Sequence, residues 1–428
     1  MLERLMTPDR SSVSAQARTA THDAGTIEGA APPRVPVVLS DFQRVQLTDP
    51  CPQDELKRIQ VHFMTLAQCA KRGLTVASDR EELGQTIADR MARFGTSSEY
   101  IAARQVSVLN SYFVKHVENA TGTTAEYGGL RTPTGEMLDA RMSLFEDTAA
   151  NVFERIYAEA TSAPDDIVHV SCSGYLSPSP VQIYLSKRSW HRTAVTHSYH
   201  MGCYGAFPAV RTAVGLVGSS YASLPQPKRR VDLVHTEFLS LHFDLLAEAP
   251  DNFVTSTLFA DGFIKYTASP QTEFARGEKS GLKILAIEER ILPESLPEMT
   301  LRPGPFQFDM SLSKKVPFLI RDNVADFVTS LSEQAGFEFE REKDAMVFAI
   351  HPGGPAILNQ IRNKLGIEES QIALSRQVLR DHGNMASATA PHIWQRIAES
   401  TEIPAGTKVL SMAFGPGLTV IGAIFEKL

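Results

Sequence analysis

The segment from Val195 to Val217 constrains the fold most, because a β-compatible run, a glycine and an amphipathic helix follow one another with no spacer. Val195-Thr-His-Ser-Tyr-His-Met leads into Gly202 and Cys203, after which Phe207, Val210, Val214 and Val217 recur at helical spacing. A strand that turns directly into a helix is the unit of α/β folds, which place their chemistry at the carboxyl ends of strands. Cys203 stands at that turn. Unpaired backbone N–H groups and the positive end of a helix macrodipole favour an anion there, so Cys203 is expected to be a reactive thiolate. A small buried cysteine that packs a helix start is the plain alternative.

Two downstream segments add to this one. Ala345-Met-Val-Phe-Ala-Ile350 reads as a buried strand, and it runs into His351-Pro-Gly-Gly-Pro355 and a helix-like stretch. The imidazole is thus at a strand's carboxyl end. Asn384 follows a glycine in Asp381-His-Gly-Asn384-Met-Ala-Ser-Ala388. A lone histidine after a strand, or a lone asparagine in a turn, is structural in most proteins. Together with Cys203 they form a complete chemical team: a nucleophile, a proton acceptor and donor, and an amide that can hold an oxyanion. The same order occurs in papain-like thiol proteases, so the three residues alone do not select a reaction.

Composition excludes several classes. The chain has 428 residues, 43% of them hydrophobic, enough to bury one large or two medium cores. A net charge of −7 argues against nucleic acid as a partner. No apolar run approaches the ~18 residues that span a bilayer. The four cysteines, Cys51, Cys69, Cys172 and Cys203, have no metal-type spacing, which points to a reducing, cytoplasmic location and no metal. Residues 1–34 are rich in Ser, Thr, Ala and Pro and read as a disordered tail or docking arm, with acidic residues unlike those of a transit peptide. The Asn119-Ala-Thr121 sequon would be idle in that location.

From residue 35 strands and helices alternate. A strand is expected at 35–40, helices at 54–72, 81–94 and 135–160, a strand at 166–171, and a proline-bearing, basic hinge at 221–230. A second set starts at Val231, with strands near 283–291 and 345–350 and helices near 324–336 and 355–364.

His351-Pro-Gly-Gly-Pro-Ala-Ile-Leu358, Gly383-Asn-Met-Ala-Ser-Ala388 and Phe414-Gly-Pro-Gly-Leu-Thr419 closely resemble the signature blocks of type III polyketide synthases, the chalcone synthase-like branch of the thiolase superfamily. The resemblance is strong over 165–428 and weak over 35–164. It implies a duplicated αβαβα five-layer fold, with an N-terminal half at 35–225 carrying the cysteine and a C-terminal half at 226–428 carrying the histidine and asparagine. It also implies that Cys203 carries the acyl chain while His351 and Asn384 hold the thioester carbonyl during malonyl decarboxylation. Leu258-Phe259-Ala-Asp-Gly262 resembles the gatekeeper segment, which makes Phe259 the wall of the pantetheine tunnel. Phe308-Asp-Met-Ser-Leu resembles the bacterial form of a strand that supplies a second aromatic, here Phe308. Core packing is the alternative for both rings. Ser171-Cys-Ser-Gly-Tyr-Leu-Ser-Pro178 resembles the loop that lines the site and reaches the partner subunit of a homodimer, so Cys172, Ser173 and Ser177 are expected at the pocket. Gly353, Gly415, Pro416 and Gly417 belong to the signature blocks and are expected to contact substrate. Arg90, Arg93 and Arg104 are the basic residues available for the phosphates of coenzyme A, or for the acidic surface of an acyl carrier protein. Solvation of a helix face is the alternative for each.

The departures bear on the product. Ala260-Asp-Gly-Phe263 replaces the usual Gly-Asp-Gly-Ala run, Ala386 stands where a serine is common, and His242 falls where the family has small cavity residues. The resemblance implies acyl-CoA and malonyl-CoA as substrates, no further cofactor, and cyclisation to a pyrone or phenolic ring. Within the superfamily, a ketosynthase that fuses two acyl chains without decarboxylation is the alternative; its usual loop glutamate is absent from Gly174-Tyr-Leu-Ser-Pro178. A cysteine hydrolase would not explain the glycine-proline blocks. A noncatalytic ketosynthase partner would not need Cys203.

Overall fold

The computed structural model describes residues 35–107, 138–219, 228–246, 248–274 and 280–428. The tail expected at 1–34, Asn119 and most of the expected hinge lie outside the described residues. The first set of elements comprises β1 (Val37–Val45), a short pair β2 (Cys51–Pro52) and β3 (Ala103–Arg104), α1 (Gln53–Arg72), α2 (Ala77–Phe94), α3 (Leu138–Ile156), β4 (Asp166–Ser171), α4 (Pro180–Lys187), β5 (Ala194–Tyr199), α5 (Ala206–Ser219), β6 (Val231–Glu237), α6 (Pro250–Leu258) and β7 (Gly262–Pro270). The second comprises β8 (Leu282–Ile291), the hairpin β9 (Met299–Pro303) and β10 (Phe308–Leu312), α7 (Val316–Gln334), β11 (Val347–Ile350), α8 (Pro355–Leu365), α9 (Ala373–His382), α10 (Thr389–Glu399), β12 (Lys408–Gly415) and β13 (Thr419–Lys427).

The expected elements form within a few residues of their positions, except that α7 begins early. α1 carries Asp54 and Glu55 in its first turn and Lys71 and Arg72 in its last, charges that complement the helix dipole, and Gly73 ends it at φ 67°. α7 starts at Val316, two turns before its expected start, because Pro317 occupies the first turn, where its missing N–H costs nothing.

Strand order shows a duplication. The nine-stranded sheet runs β11-β12-β13-β8-β1-β7-β6-β4-β5. In β4-β6-β7-β1 the successive pairings are parallel, antiparallel and antiparallel, and β11-β12-β13-β8 repeats them. The sets meet where Val38 and Leu39 pair with Lys283 and Leu282. By these pairings β6 and β7 join the first set, so the repeats part between Pro270 and Leu282, later than the 225/226 division read from the sequence.

Both faces of each sheet are covered. In β12, Val409 and Ala413 face the central core while Leu410, Met412 and Phe414 face an outer one built with α7 and α8. β4 likewise turns Val168 and Val170 inward and Ile167 outward towards α3 and α4. The central layer is α5 and α10. Phe207 meets Trp394 edge to face at 5.2 Å and 86°, and Trp394 also touches Tyr266 and Phe425 and donates its indole N–H to Ser411 at 2.7 Å. This is the thiolase-like five-layer order.

Trp394 is fully buried between the two sets. Trp394→Ala is expected to cost about 3–5 kcal/mol, as large-to-small changes do in closed cores. Urea unfolding of the two proteins checks this, and a loss under ~1 kcal/mol would show that the central layer can collapse around the gap.

Candidate active site

The turn that carries Cys203 is built from residues with constrained backbone. β5 ends at Tyr199, and the chain then reverses through His200 at φ 61° and Gly202 at φ 71°. A β-carbon on Gly202 would come 2.5 Å from Pro416 Cδ, and one on Gly415 would come 2.2 Å from the Tyr204 ring. Only glycine fits either place. Of the three residues expected to contact substrate, Gly415 and Pro416 pack on the turn that carries Cys203 while Gly417 donates its N–H to Met299 O at 3.3 Å, and none is among the residues lining the cavity. Cys203 lies in a 3₁₀ turn, Gly202–Tyr204, and α5 begins only at Ala206.

Asn384 arrives from the other repeat. Its backbone is stitched to the end of α6: Asn384 N–H donates to Leu258 O at 2.9 Å and Ala260 N–H donates to Asn384 O at 2.9 Å. Its side-chain Oδ1 accepts from Ala386 N–H at 2.9 Å and from the Thr389 hydroxyl at 3.5 Å. The Cys203 sulfur lies 3.9 Å from both Oδ1 and Nδ2, and with the oxygen already engaged Nδ2 is the amide group free to donate. Ala386 holds this turn at φ 45°, an unusual conformation for a residue with a side chain.

His351 follows β11, and its N–H donates to Met412 O at 2.8 Å. The ring is 1% exposed, yet neither nitrogen has a hydrogen-bond partner among the described residues. Buried imidazoles are normally paired, so two free nitrogens leave room for a ligand's oxygen. Burial pushes the His351 pKa down to about 3, so the ring is neutral.

The expectation of a resting thiolate is corrected. Burial pushes the Cys203 thiol up to about 12, the Asn384 contact lowers it only in part, and the Glu237 charge raises it further. The helix dipole is displaced by the intervening turn, and among the described residues no cation acts on the sulfur. The site at rest is a neutral thiol and a neutral imidazole.

Next to Cys203 lies a cavity of about 300 Å³, lined by Cys172, Phe259, His242, Phe308, Met310 and Asp309, among others. Phe259 packs with Cys203 and Ala386. His242 stacks flat on Phe308 at 4.4 Å and 15°, and its ring has no free nitrogen: Nδ1 accepts from Phe308 N–H at 3.1 Å and Nε2 donates to Ser173 O at 2.8 Å. His242 is therefore a wall that ties the β9–β10 hairpin to the Cys172 loop. Ser173 is fully buried and bonded to Glu237 and Thr236, Ser177 is exposed, and Gly353 packs on Ile357; none of the three lines the cavity.

The three arginines part company. Arg93 is exposed beside the Phe94 ring, and Arg90 is spent on Glu248 O and the Phe253 ring. Arg104 is 0% exposed and cannot meet a carrier phosphate, which corrects that assignment.

One further residue carries no local signal. Glu237 ends β6, and the sequence shows it only as a polar residue before an apolar run. It is fully buried, accepts from Cys172 N–H at 2.8 Å and from Ser173 Oγ at 3.3 Å, and is tightly bonded by Ser387 Oγ. Burial pushes its carboxyl up to about 7. Ser387 in turn contacts His235 Nδ1 at 2.9 Å, and His235 Nε2 contacts Tyr266 OH at 3.1 Å. This chain of buried polar groups runs from the floor of the site into the core.

Equivalent positions of the two thiolase-like repeats thus bring a cysteine and an amide together. Residues 283–428 match the family of chalcone and stilbene synthases, C-terminal domain. Type III polyketide synthase C of Arabidopsis thaliana is 27% identical over 320 residues, 72% of this chain and 80% of that protein. Bisdemethoxycurcumin synthase of Oryza sativa subsp. japonica is 27% identical over 326 residues, 72% of this chain and 78% of its own. Among solved structures, the type III polyketide synthase domain of Steely1 from Dictyostelium superposes with a TM-score of 0.68 at 21% identity, over 91% of this chain and 99% of that one. PKS-I from the brown alga Ectocarpus siliculosus gives 0.74 at 20% identity, over 93% and 100%. The chain is thus similar to type III polyketide synthases, with a chalcone and stilbene synthase C-terminal domain at 283–428, and it is an acyltransferase of the kind that forms carbon–carbon bonds by Claisen condensation.

Glu237 provides a test of the buried site. Between pH 4.5 and about 7 the unfolded chain has released a proton that folded Glu237 keeps, so raising the pH through this window destabilises the fold. Glu237→Gln removes that loss. The melting temperature of the variant minus that of the wild type is expected to rise from pH 5 to pH 8, and a flat difference would show that Glu237 titrates normally.

Proposed function

We propose that the protein loads an acyl group from a coenzyme A thioester onto Cys203, extends it by decarboxylative condensation with malonyl-CoA, and releases a product cyclised to a pyrone or phenolic ring. The observation that carries this reading is the setting of the Asn384 amide: both its atoms lie 3.9 Å from the Cys203 sulfur, and Oδ1 already accepts from Ala386 and Thr389, which leaves Nδ2 as the group to donate. An N–H aimed at that point suits an oxyanion, and hydrolysis of a peptide would not require the cavity beyond it.

The steps follow from neutral partners. As the Cys203 sulfur attacks the thioester carbonyl, its proton passes to His351 and then to the departing carrier thiol. Malonyl-CoA enters next. Carbon dioxide leaves, and the enolate oxygen is held by Asn384 Nδ2–H and by His351, whose unpaired nitrogens bind it without first breaking another bond. The enolate carbon attacks the acyl group, and the Cys203 sulfur leaves. Phe259 at the cavity wall keeps water from the thioester. An acyl carrier protein is the alternative donor, with Arg93 the exposed cation at hand.

Glu237 favours a second reading, the fusion of two acyl chains without decarboxylation. A buried carboxylate poised near neutrality behind Cys172 is a fit base for an α-proton.

Mass spectrometry of products from a panel of acyl-CoAs, with and without malonyl-CoA, separates the two readings. Malonyl-dependent products and an acyl adduct on Cys203 are expected. Asn384→Ala should slow release of carbon dioxide from malonyl-CoA by roughly 10²-fold or more, the cost of one oxyanion donor. Products formed without malonyl-CoA would establish the second reading, and an adduct on Cys172 would displace Cys203.

We also propose a homodimer. β5 is the last strand of its sheet, with β4 its one neighbour among the described residues, and the adjoining loop exposes Tyr175 at 43%. A bare strand edge beside an exposed aromatic ring invites pairing with a second copy about a twofold axis. Sedimentation equilibrium at micromolar concentration should give twice the chain mass; an active monomer would refute it.

A further inference from the structure

Helix α6 ends against the active site, and its last carbonyls need donors. Arg104 Nη1 donates to Ser256 O at 3.0 Å and closely to Phe259 O. Gln53 Nε2 donates to Thr257 O at 2.8 Å, and Gln53 Oε1 accepts from Arg104 Nε at 2.7 Å. Leu258 O takes the Asn384 N–H at 2.9 Å. Four consecutive carbonyls are thus satisfied: Phe259 O and Thr257 O by the Arg104–Gln53 pair, Ser256 O by Arg104 together with Gln60 Nε2 at 2.8 Å, and Leu258 O by the backbone of Asn384.

The stem of the same arginine touches the Asn384 loop from a second side. A β-carbon on Gly383 would lie 2.8 Å from Arg104 Cδ and 3.0 Å from Leu258 O, at φ 73°. The arginine stem therefore packs on the residue before Asn384. Phe259 and Asn384 form a parallel bridge, so a shift of the Phe259 carbonyl moves Asn384 with it. Burying a guanidinium is costly, and a capping role alone could be filled by water or a neutral amide. Burial pushes its pKa down to about 9, which leaves it charged at neutral pH, with the Asp261 carboxylate as the main offset.

We propose that Arg104 is a positioning residue for the decarboxylation step: by holding the carbonyls of Ser256 and Phe259 and the stem contact with Gly383, it sets where the Asn384 amide stands relative to Cys203. This rests on the reading of Asn384 as the oxyanion donor. Acyl loading needs Cys203 in its own turn, on the far side of the bridge. Loss of Arg104 therefore separates the two half-reactions.

The test measures two rates in each protein: acyl transfer to Cys203 from an acyl-CoA, and carbon dioxide release from malonyl-CoA. Arg104→Met keeps the stem and removes the donors. Arg104→Lys keeps the charge and loses the fork. In Arg104→Met the ratio of decarboxylation to acylation should fall on the order of tenfold to hundredfold, the scale of a catalytic group displaced by about 1 Å, with Arg104→Lys in between. Asn384→Ala, run in parallel, separates the two levels of the argument. If it leaves decarboxylation intact, the reading of Asn384 fails; if it is slow while folded Arg104 variants keep the wild-type ratio, only the present inference fails. Equal loss of both rates, or failure of both Arg104 variants to fold, would make Arg104 a general support of the fold and overturn the proposal.

Discussion

The packing of Phe207 against Trp394 is the contact on which the rest depends. It joins α5 to α10 in the middle layer, and those helices are the equivalent elements of two repeats with the same strand order. Because the helices follow equivalent turns, packing them together brings the residues before them together as well. Cys203 precedes α5 and Asn384 precedes α10. By the same equivalence Cys172 after β4 corresponds to His351 after β11. The apolar contact between the helices is large and nondirectional, while the chemistry it positions is small and directional, so the first supplies the stability that the second lacks.

Burial sets the electrostatics of the site. It pushes the thiol to about 12, the imidazole to about 3 and the Glu237 carboxyl to about 7. Each shift opposes charge, so the resting site is close to neutral and charge appears during the reaction. In a medium of low dielectric, a fixed N–H dipole is worth most at the moment when an oxyanion forms. The αL conformations of His200 and Ala386, each beside a reacting group, are the local strain that this fixed geometry requires.

Much of this was legible in the sequence, for identifiable reasons. The change of period at Gly202 announced the strand, the turn and α5, since Phe207, Val210 and Val217 are indeed buried. The glycine-proline blocks marked places where backbone approaches backbone, although the Gly415 block supports Cys203 from behind and does not face the cavity. What failed was the inference from residue type to environment. A cysteine near a helix start looked activated because burial cannot be read from its neighbours. Arg104 looked like a surface cation because its partners are backbone carbonyls some 150 residues away, on α6. Glu237 gave no signal at all, as its partners Cys172 and Ser387 come from two other segments.

The two repeats have the same strand order, but they are chemically unequal. At the end of β4 the chain supplies Cys172, whose thiol donates to Gly202 O at 3.2 Å and whose N–H is taken by Glu237. At the end of β11 it supplies His351, with no partner for either nitrogen among the described residues. One repeat therefore closes its polar groups upon themselves and presents a nucleophile, and the other leaves its imidazole open and presents an oriented amide. A symmetric site would hold two nucleophiles or two charge-stabilising pairs, neither of which can join an acyl group to an enolate. Under the function proposed above, that inequality divides the reaction between an acyl carrier and an enolate stabiliser.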